Sequence, residues 1–248
     1  MSGHSKWHNI RLRKGRQDAE RGKIFTRLAR EIIIAAKEGG GNPDANTRLR
    51  LAIEKARENS MPQESIRRAI MRGTGELEGV SYEEMTYEGY GPGGVAVLVQ
   101  AMTDNRNRTV AELRNIFSKA GGNLGESGCV AWLFNTKGLV SVPKDAAAED
   151  DVLFVVLDLG AEDVRAEEST WDIICPPEAL AAVREGLERA GIPIQAAEVT
   201  QLPSTTVNLA GKEAQQMLRL MEQLEDHDDV QNIYANFDIE ESVLAAYG

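Results

Sequence analysis

The spacing of apolar residues changes once along this chain, near Tyr82. Before Tyr82, apolar side chains recur every three or four residues, which is the spacing of the buried face of an amphipathic helix. After it, short apolar runs and alternating patterns predict strands that are separated by helices. At 248 residues the chain is long enough for more than one hydrophobic core. We therefore expect an α+β protein whose first part is helical.

Three amphipathic helices are predicted in the N-terminal part. The first ends at a run of glycines that starts at Gly39. The second has Pro43 in its first turn, and the third extends from near Pro62 to Gly73. Short helices that are joined by short loops predict a three-helix bundle, to which we assign residues 1–80 together with a basic arm.

Residues 138–201 carry a complete set of patterns in the order β-α-β-β-α-β. This order is typical of the ferredoxin-like arrangement, in which two helices cover one face of a four-stranded sheet. We therefore predict a ferredoxin-like α/β domain over residues 137–202.

The segments on either side of this domain give the same order when they are joined. Strand patterns at 129–134 and 205–209 would supply the second and third strands of that order. We therefore predict a discontinuous ferredoxin-like domain over residues 81–136 and 203–248, with the domain of residues 137–202 inserted in it. One continuous mixed sheet is the alternative.

Charge is distributed unevenly along the chain. Residues 1–72 contain 17 Lys or Arg and 8 Asp or Glu, which is a net charge of +9. The remaining residues contain 11 Lys or Arg and 31 Asp or Glu, a net charge of −20. Such a change of sign predicts a surface for a polyanion at one end of the chain. Solvent-facing helices that are basic without any partner are the alternative.

Nucleic acid is the polyanion that the N-terminal segment favours. Residues 3–16 show no helical period and are predicted to form an extended or flexible arm, in which basic side chains attract phosphates, Trp7 stacks on a base and Asn9 donates hydrogen bonds. A second candidate lies at 103–109, where polar and Arg side chains precede a capped helix whose N-terminus attracts anions. A loop that only caps the helix is the alternative there.

The candidate nucleic-acid-binding residues come from the arm, the first helix and this second segment. They are Lys6, Trp7, Asn9, Arg11, Arg13, Lys14, Arg16, Arg21, Lys23, Arg27, Asn105, Arg106 and Arg108. Further arginines of the bundle extend the same surface, namely Arg48, Arg50, Arg67, Arg68 and Arg72.

No grouping of residues predicts catalysis. Cys129 and Cys175 are far apart, and His4, His8 and His227 have neither a neighbouring nucleophile nor a third metal ligand. The glycine-rich GYGPGG opens a strand and lacks the spacing of a dinucleotide site. We expect no catalytic residue, no metal and no cofactor. The less favoured alternatives are an enzyme with a cleft between domains and a protein-interaction adaptor whose basic arm contacts an acidic partner.

Five segments resemble the YebC/PmpR family of probable transcriptional regulators. They are GHSKWHNIRLRKGRQDAERGKIFTRL at the start of the chain, then RLRLAIEKARENSMPQESIRRAIMRGTGE, YEGYGPGG, TDNRNRT and GGNLGESGCVAWLF. The chain differs from the family pattern at Leu12, Gly15, Arg16 and Cys129. The resemblance implies a helical N-terminal domain and two α/β domains, one inserted in the other, without catalytic residues or cofactors. The mitochondrial relative of the family activates the translation of cytochrome c oxidase.

We expect a non-enzymatic regulator of gene expression that binds nucleic acid, in the first place a transcriptional regulator that binds DNA. The alternative, which the resemblance also implies, is a translation factor that acts on the ribosome and its RNA and relieves stalling on proline-rich stretches. No apolar run reaches the length of a membrane span and no secretion signal is evident, so we expect a cytoplasmic protein without a membrane partner. No small-molecule substrate is expected, and the oligomeric state stays open, with a monomer preferred.

Overall fold

A computed structural model describes residues 17–167 and 169–239, with side chains from residue 22 onward. The described chain divides into two compact units, which are residues 132–206 and residues 17–131 together with 207–239. None of the described helices combines the length and the apolar character that a membrane span requires.

The helices and strands follow one another along the chain in this order: α1 (Gln17–Gly39), α2 (Thr47–Glu58), α3 (Gln63–Gly73), β1 (Glu83–Tyr90), β2 (Ala96–Thr103), α4 (Arg106–Lys119), β3 (Asn123–Leu124), β4 (Phe134–Pro143), α5 (Glu149–Val156), β5 (Asp163–Ala166), β6 (Thr170–Cys175), α6 (Leu180–Arg189), β7 (Ala196–Pro203), β8 (Val207–Leu209), α7 (Gly211–Asp226), β9 (Val230–Ala235) and β10 (Phe237–Ile239).

The helices α1, α2 and α3 pack around a shared apolar core that includes Ile32, Leu49 and Ile66. Asn46 joins the first two of them. Its side chain accepts a hydrogen bond from the backbone N–H of Leu49 at 3.0 Å and donates to the carbonyl oxygen of Ala35 at 2.8 Å. The cap of α2 therefore also fixes the end of α1, and the predicted three-helix bundle is confirmed.

In the unit of residues 132–206, four strands form an antiparallel sheet in the order β5-β6-β4-β7. Apolar side chains of the sheet, among them Val140, Val142 and Ile173, pack with Val156 of α5 and Val183 of α6. This strand order and the two helices on one face are the ferredoxin-like arrangement that the pattern predicted.

The second four-stranded sheet belongs to the other unit and has the order β3-β1-β2-β9, again antiparallel. The helices α4 and α7 pack on one face of it, where Val97 and Val99 meet Phe117 and Met217. This domain is therefore ferredoxin-like too, and the predicted fold class is confirmed.

Two strands of the second sheet differ from the prediction. Residues 128–133 form turns and a short 3-10 helix, so the strand predicted at 129–134 is wrong. The reason is Glu88, whose buried carboxylate accepts the backbone N–H groups of Gly128, Val130 and Ala131 and removes them from any strand ladder. The short strand β3 takes that place in the sheet.

The strand β8 exists, but it lies outside the four-stranded sheet. It pairs in parallel with β10 in a separate two-stranded sheet. The place predicted for it is filled by β1, which precedes β2 along the chain and pairs with it over eight residues. The ferredoxin-like strand order is thus reached through a permuted chain order.

Candidate nucleic-acid interface

The candidate residues from the sequence fall into three groups. Seven of them lie outside the described residues, namely Lys6, Trp7, Asn9, Arg11, Arg13, Lys14 and Arg16. Arg21, Lys23 and Arg27 lie on α1, and of Arg21 only the backbone is described. Asn105, Arg106 and Arg108 lie at the start of α4.

The cations of α1 contact the C-terminal end of α7. Lys23 Nζ lies 2.8 Å from Asp226 Oδ1, and the guanidinium of Arg27 donates to the carbonyl oxygen of Glu225. Arg30 follows Arg27 on the same helical face. Carbonyl groups at a helix C-terminus carry partial negative charge, which attracts cations. These side chains therefore hold the bundle against the second sheet's domain.

Asp229 is the anionic centre of this contact. Its carboxylate is 2% exposed and accepts from Arg30 at 3.0 Å, from Arg108 at 2.8 Å and from the hydroxyl of Thr109 at 2.7 Å. Burial acts to raise the pKa of Asp229, but the hydrogen bonds from Arg108 and Thr109 and the charge of Arg30 outweigh burial and hold that pKa below its ordinary value. Asp229 is therefore ionised at neutral pH and compensates two arginines.

The segment before α4 is organised as a helix cap. Asn105 Oδ1 accepts the backbone N–H of Arg108 at 3.1 Å, and Thr103 Oγ1 accepts the backbone N–H of Asn105 at 2.9 Å. The guanidinium of Arg108 also pairs with Asp104 at 2.8 Å. Arg106 is exposed and pairs with no acid among the described residues. This geometry favours the capping interpretation for Asn105, and contact of this segment with nucleic acid stays a prediction.

The remaining arginines of the bundle face solvent or pair locally. Arg48 forms ion pairs with Glu38 and Glu84, and Arg68 pairs with Glu64 four residues before it. Four others are exposed and form no ion pair with any described acid; they are Arg50 and Arg57 on α2 and Arg67 and Arg72 on α3. We name these four residues the bundle arginines. Their positive charge is exposed and is not compensated by any described acid.

The sequence pattern missed two residues of this region. They are Arg30 and Asp229, which form a buried ion pair between the bundle and the second sheet's domain. The spacing of Lys23, Arg27 and Arg30 by four and three residues is a signal that these cations share one helical face. Asp229 gave no local signal, because its partners lie 120 residues or more away along the chain.

A cavity of about 500 Å³ lies between α1, α2 and the strands β1, β2 and β9. Its walls include the cations Arg27, Arg48 and Lys55 and the acids Glu31 and Glu84. Across this cavity the ammonium of Lys55 lies 3.8 Å from the carboxylate of Glu31, so these two charges compensate each other. No group of three or more described His, Cys, Asp or Glu side chains is arranged as a metal site.

Comparison with known proteins identifies the family. A model described as "TACO1/YebC protein N-terminal domain" matches residues 5–76, and one described as "TACO1/YebC second and third domain" matches residues 82–237. A "probable transcriptional regulatory protein" of Natranaerobius thermophilus is 54% identical over 98% of this chain and 99% of its own length. One of Geobacter sulfurreducens is 58% identical over 96% of each chain.

A solved structure agrees with these matches. The crystal structure of a conserved hypothetical protein from Aquifex aeolicus has a TM-score of 0.79 and 51% identity, and the match covers 90% of this chain and 93% of that one. Sequence, family models and fold therefore lead to one conclusion, and the resemblance predicted from the motifs is confirmed. The chain belongs to the TACO1/YebC family.

Proposed function

We propose that this chain is a cytoplasmic, non-enzymatic regulator of transcription that binds DNA through its N-terminal segment. The observation that carries the proposal is the set of bundle arginines, which are exposed and unpaired with described acids in a segment of net charge +9. Guanidinium groups in this state attract phosphates at no cost in broken ion pairs. The names of the relatives point to a regulatory rather than a catalytic role.

The charge of the rest of the chain supports an oriented approach. Residues 132–206 contain 5 Lys or Arg and 14 Asp or Glu, a net charge of −9. Such a surface repels a phosphate backbone, so only the basic segment is expected to meet the nucleic acid. Lys23 and Arg27 contact the C-terminal end of α7, and Arg30 pairs with Asp229, so the arm and the bundle arginines are the proposed contact residues.

Binding measured against salt concentration tests the proposal. Fluorescence anisotropy with duplex DNA and with single-stranded RNA should give an affinity that falls steeply with salt. Replacing the bundle arginines by Gln should weaken binding about tenfold or more. The slope of log affinity against log salt concentration should fall by about one for each phosphate that is no longer neutralised. The control combines Arg184→Gln and Arg189→Gln in residues 132–206, which we name the acidic unit. This variant should change neither the affinity nor its dependence on salt. Unchanged affinity in the bundle variant would contradict the proposal.

RNA is the second candidate target, as a translation factor on the ribosome requires. It is supported by the spread of exposed arginines over two helices, because such a spread can match the irregular phosphate positions of folded RNA. Crosslinking in cells, followed by sequencing of the recovered DNA and RNA, separates the two. Discrete promoter peaks support transcription, and enrichment of ribosomal RNA supports translation.

A further inference from the structure

The helix α5 and the short 3-10 turn that continues it expose large apolar side chains to water. Phe154 is 85% exposed and Leu157, three residues later, is 64% exposed. On the opposite side of the helix, Val152 and Val156 are fully buried in the core of the acidic unit. The helix therefore has its own core face, and Phe154 and Leu157 contribute nothing to it. Exposed aromatic and aliphatic groups that lie side by side are typical of an interaction surface.

Carboxylates surround these two side chains. Asp150 and Asp151 precede Phe154 by four and three residues, which places them on the same helical face, and Asp158 follows Leu157 in the short 3-10 turn. The three aspartates are exposed and form no ion pair with any described residue. Their charge is therefore available to a partner.

We propose that this surface of α5, formed by Asp150, Asp151, Phe154, Leu157 and Asp158, docks a basic amphipathic segment of a partner protein. Apolar side chains of that segment cover Phe154 and Leu157, while its Lys or Arg residues pair with the aspartates. Aromatic anchors provide most of the binding energy in such interfaces, and the surrounding charges select the partner and speed its encounter. The interaction does not depend on which nucleic acid the bundle contacts.

Electrostatics disfavours the other occupants of this surface. A second copy that met this surface with its own residues 132–206 would bring another net charge of −9 against the first. Nucleic acid and an anionic membrane would likewise place negative charge against the three aspartates. A basic protein segment is the macromolecular partner whose charge complements the surface.

The chemistry of the partner is tested first in cells. A photoreactive phenylalanine derivative in place of Leu157 in the full chain crosslinks whatever covers the surface, and mass spectrometry maps the crosslinked segment. We expect a protein segment rich in Lys, Arg and apolar residues. Crosslinks to nucleic acid, to a second copy or to an acidic segment would overturn the proposal.

A binding titration then tests the named residues. The probe is a synthetic 18-residue helical peptide with leucines on one face and lysines elsewhere, compared with the same peptide carrying glutamates in place of lysines. The lysine peptide should bind the full chain, and its affinity should fall at least tenfold for Phe154→Ser and for Asp150→Asn, Asp151→Asn and Asp158→Asn combined. Equal binding of both peptides, or no loss in these variants, would refute the proposal.

Two matched controls separate docking from general attraction. The first control removes three charges elsewhere in the acidic unit by combining Glu178→Gln, Glu185→Gln and Glu198→Gln. The second control, Leu51→Ser, removes an apolar side chain on α2 that is 58% exposed. Both controls should bind the lysine peptide like the original chain. Because Phe154 is exposed, Phe154→Ser should unfold at the same temperature as the original chain, so a loss of binding cannot be assigned to unfolding.

Discussion

Asp229 compensates cations from two different parts of the chain, Arg30 of α1 and Arg108 of α4. Glu88 plays a comparable part for the backbone, because its buried carboxylate accepts three N–H groups of the loop that follows β3. Such a buried carboxylate stabilises the fold only while its donors stay bound to it, because losing its charge weakens these hydrogen bonds and leaves the arginines uncompensated.

Replacing Asp229 by Asn should lower the free energy of unfolding by about 3 kcal/mol at pH 7, because Arg30 and Arg108 lose the charge that they share. Urea denaturation measures this loss.

The pKa of Asp229 is lowered in the folded state. The stability that its charge contributes to the fold is therefore present above the ordinary aspartate pKa and is lost as pH falls through the lowered value. The difference between the two proteins should therefore shrink in acid. Asp226→Asn, at an exposed pair with Lys23, is the control and should cost less than about 1 kcal/mol.

Replacing Glu88 by Gln should cost about 2 kcal/mol and loosen the loop of residues 125–131, because an amide offers one acceptor oxygen where the carboxylate offers two. Amide hydrogen exchange should become faster at Val130 and Ala131. Glu126→Gln changes an exposed carboxylate in the same loop and should leave exchange unchanged. If Val130 and Ala131 exchange their amide hydrogens equally slowly in both variants, Glu88 does not hold the loop.

At the scale of the elements, local signals predict the helices and most strands, but they do not predict which strands pair. Periodicity and caps predicted α1, α2 and α3, because a helix satisfies its backbone hydrogen bonds within one segment. Strands need partners from elsewhere in the chain. The pattern at 129–134 resembles a strand, but the backbone N–H groups of Val130 and Ala131 donate to the carboxylate of Glu88 in β1 and are not available to a neighbouring strand. The pattern at 205–209 does form a strand, yet it pairs with β10.

The cap of α2 provides a test at this scale. Asn46→Ala removes a buried side chain that joins α2 to the carbonyl oxygens of Ala35 and Gly40. Thermal or urea unfolding should show a loss of about 2 kcal/mol, at the upper end for a helix cap because two further hydrogen bonds disappear. Asn59→Ala removes an exposed side chain at the other end of α2 and should cost much less.

At the scale of the whole molecule, the positive charge is concentrated in the N-terminal segment of residues 1–72, and the rest of the chain is acidic. The bundle carries the exposed arginines, and the unit of residues 132–206 carries a net charge of −9. The ends of that unit meet within its own sheet, where Phe134 pairs with Pro203. Each unit has an apolar core of its own. The acidic unit can therefore be removed without opening the core of the other.

Replacing residues 135–202 by a linker of about three Gly or Ser residues should leave a folded protein, because paired strand residues lie about 5 Å apart. Circular dichroism and a cooperative unfolding transition check the fold. Nucleic-acid affinity at low salt should rise severalfold, because the repulsion by nine net negative charges is removed, and the gain should vanish at high salt. An affinity that stays equal at every salt concentration would contradict the proposed charge separation.

The sequence alone determined the helical bundle, the β-α-β-β-α-β unit and the family, because periods, caps and motifs are properties of neighbouring residues. Only the tertiary structure decided which residues the charged side chains contact. Lys23 and Arg27, which the sequence predicts as contacts of nucleic acid, lie against Asp226 and Glu225 about 200 residues further along, and their contact with nucleic acid stays a prediction. Ion pairs and strand pairing depend on distance in space, and no local pattern records which distant residues the fold brings together.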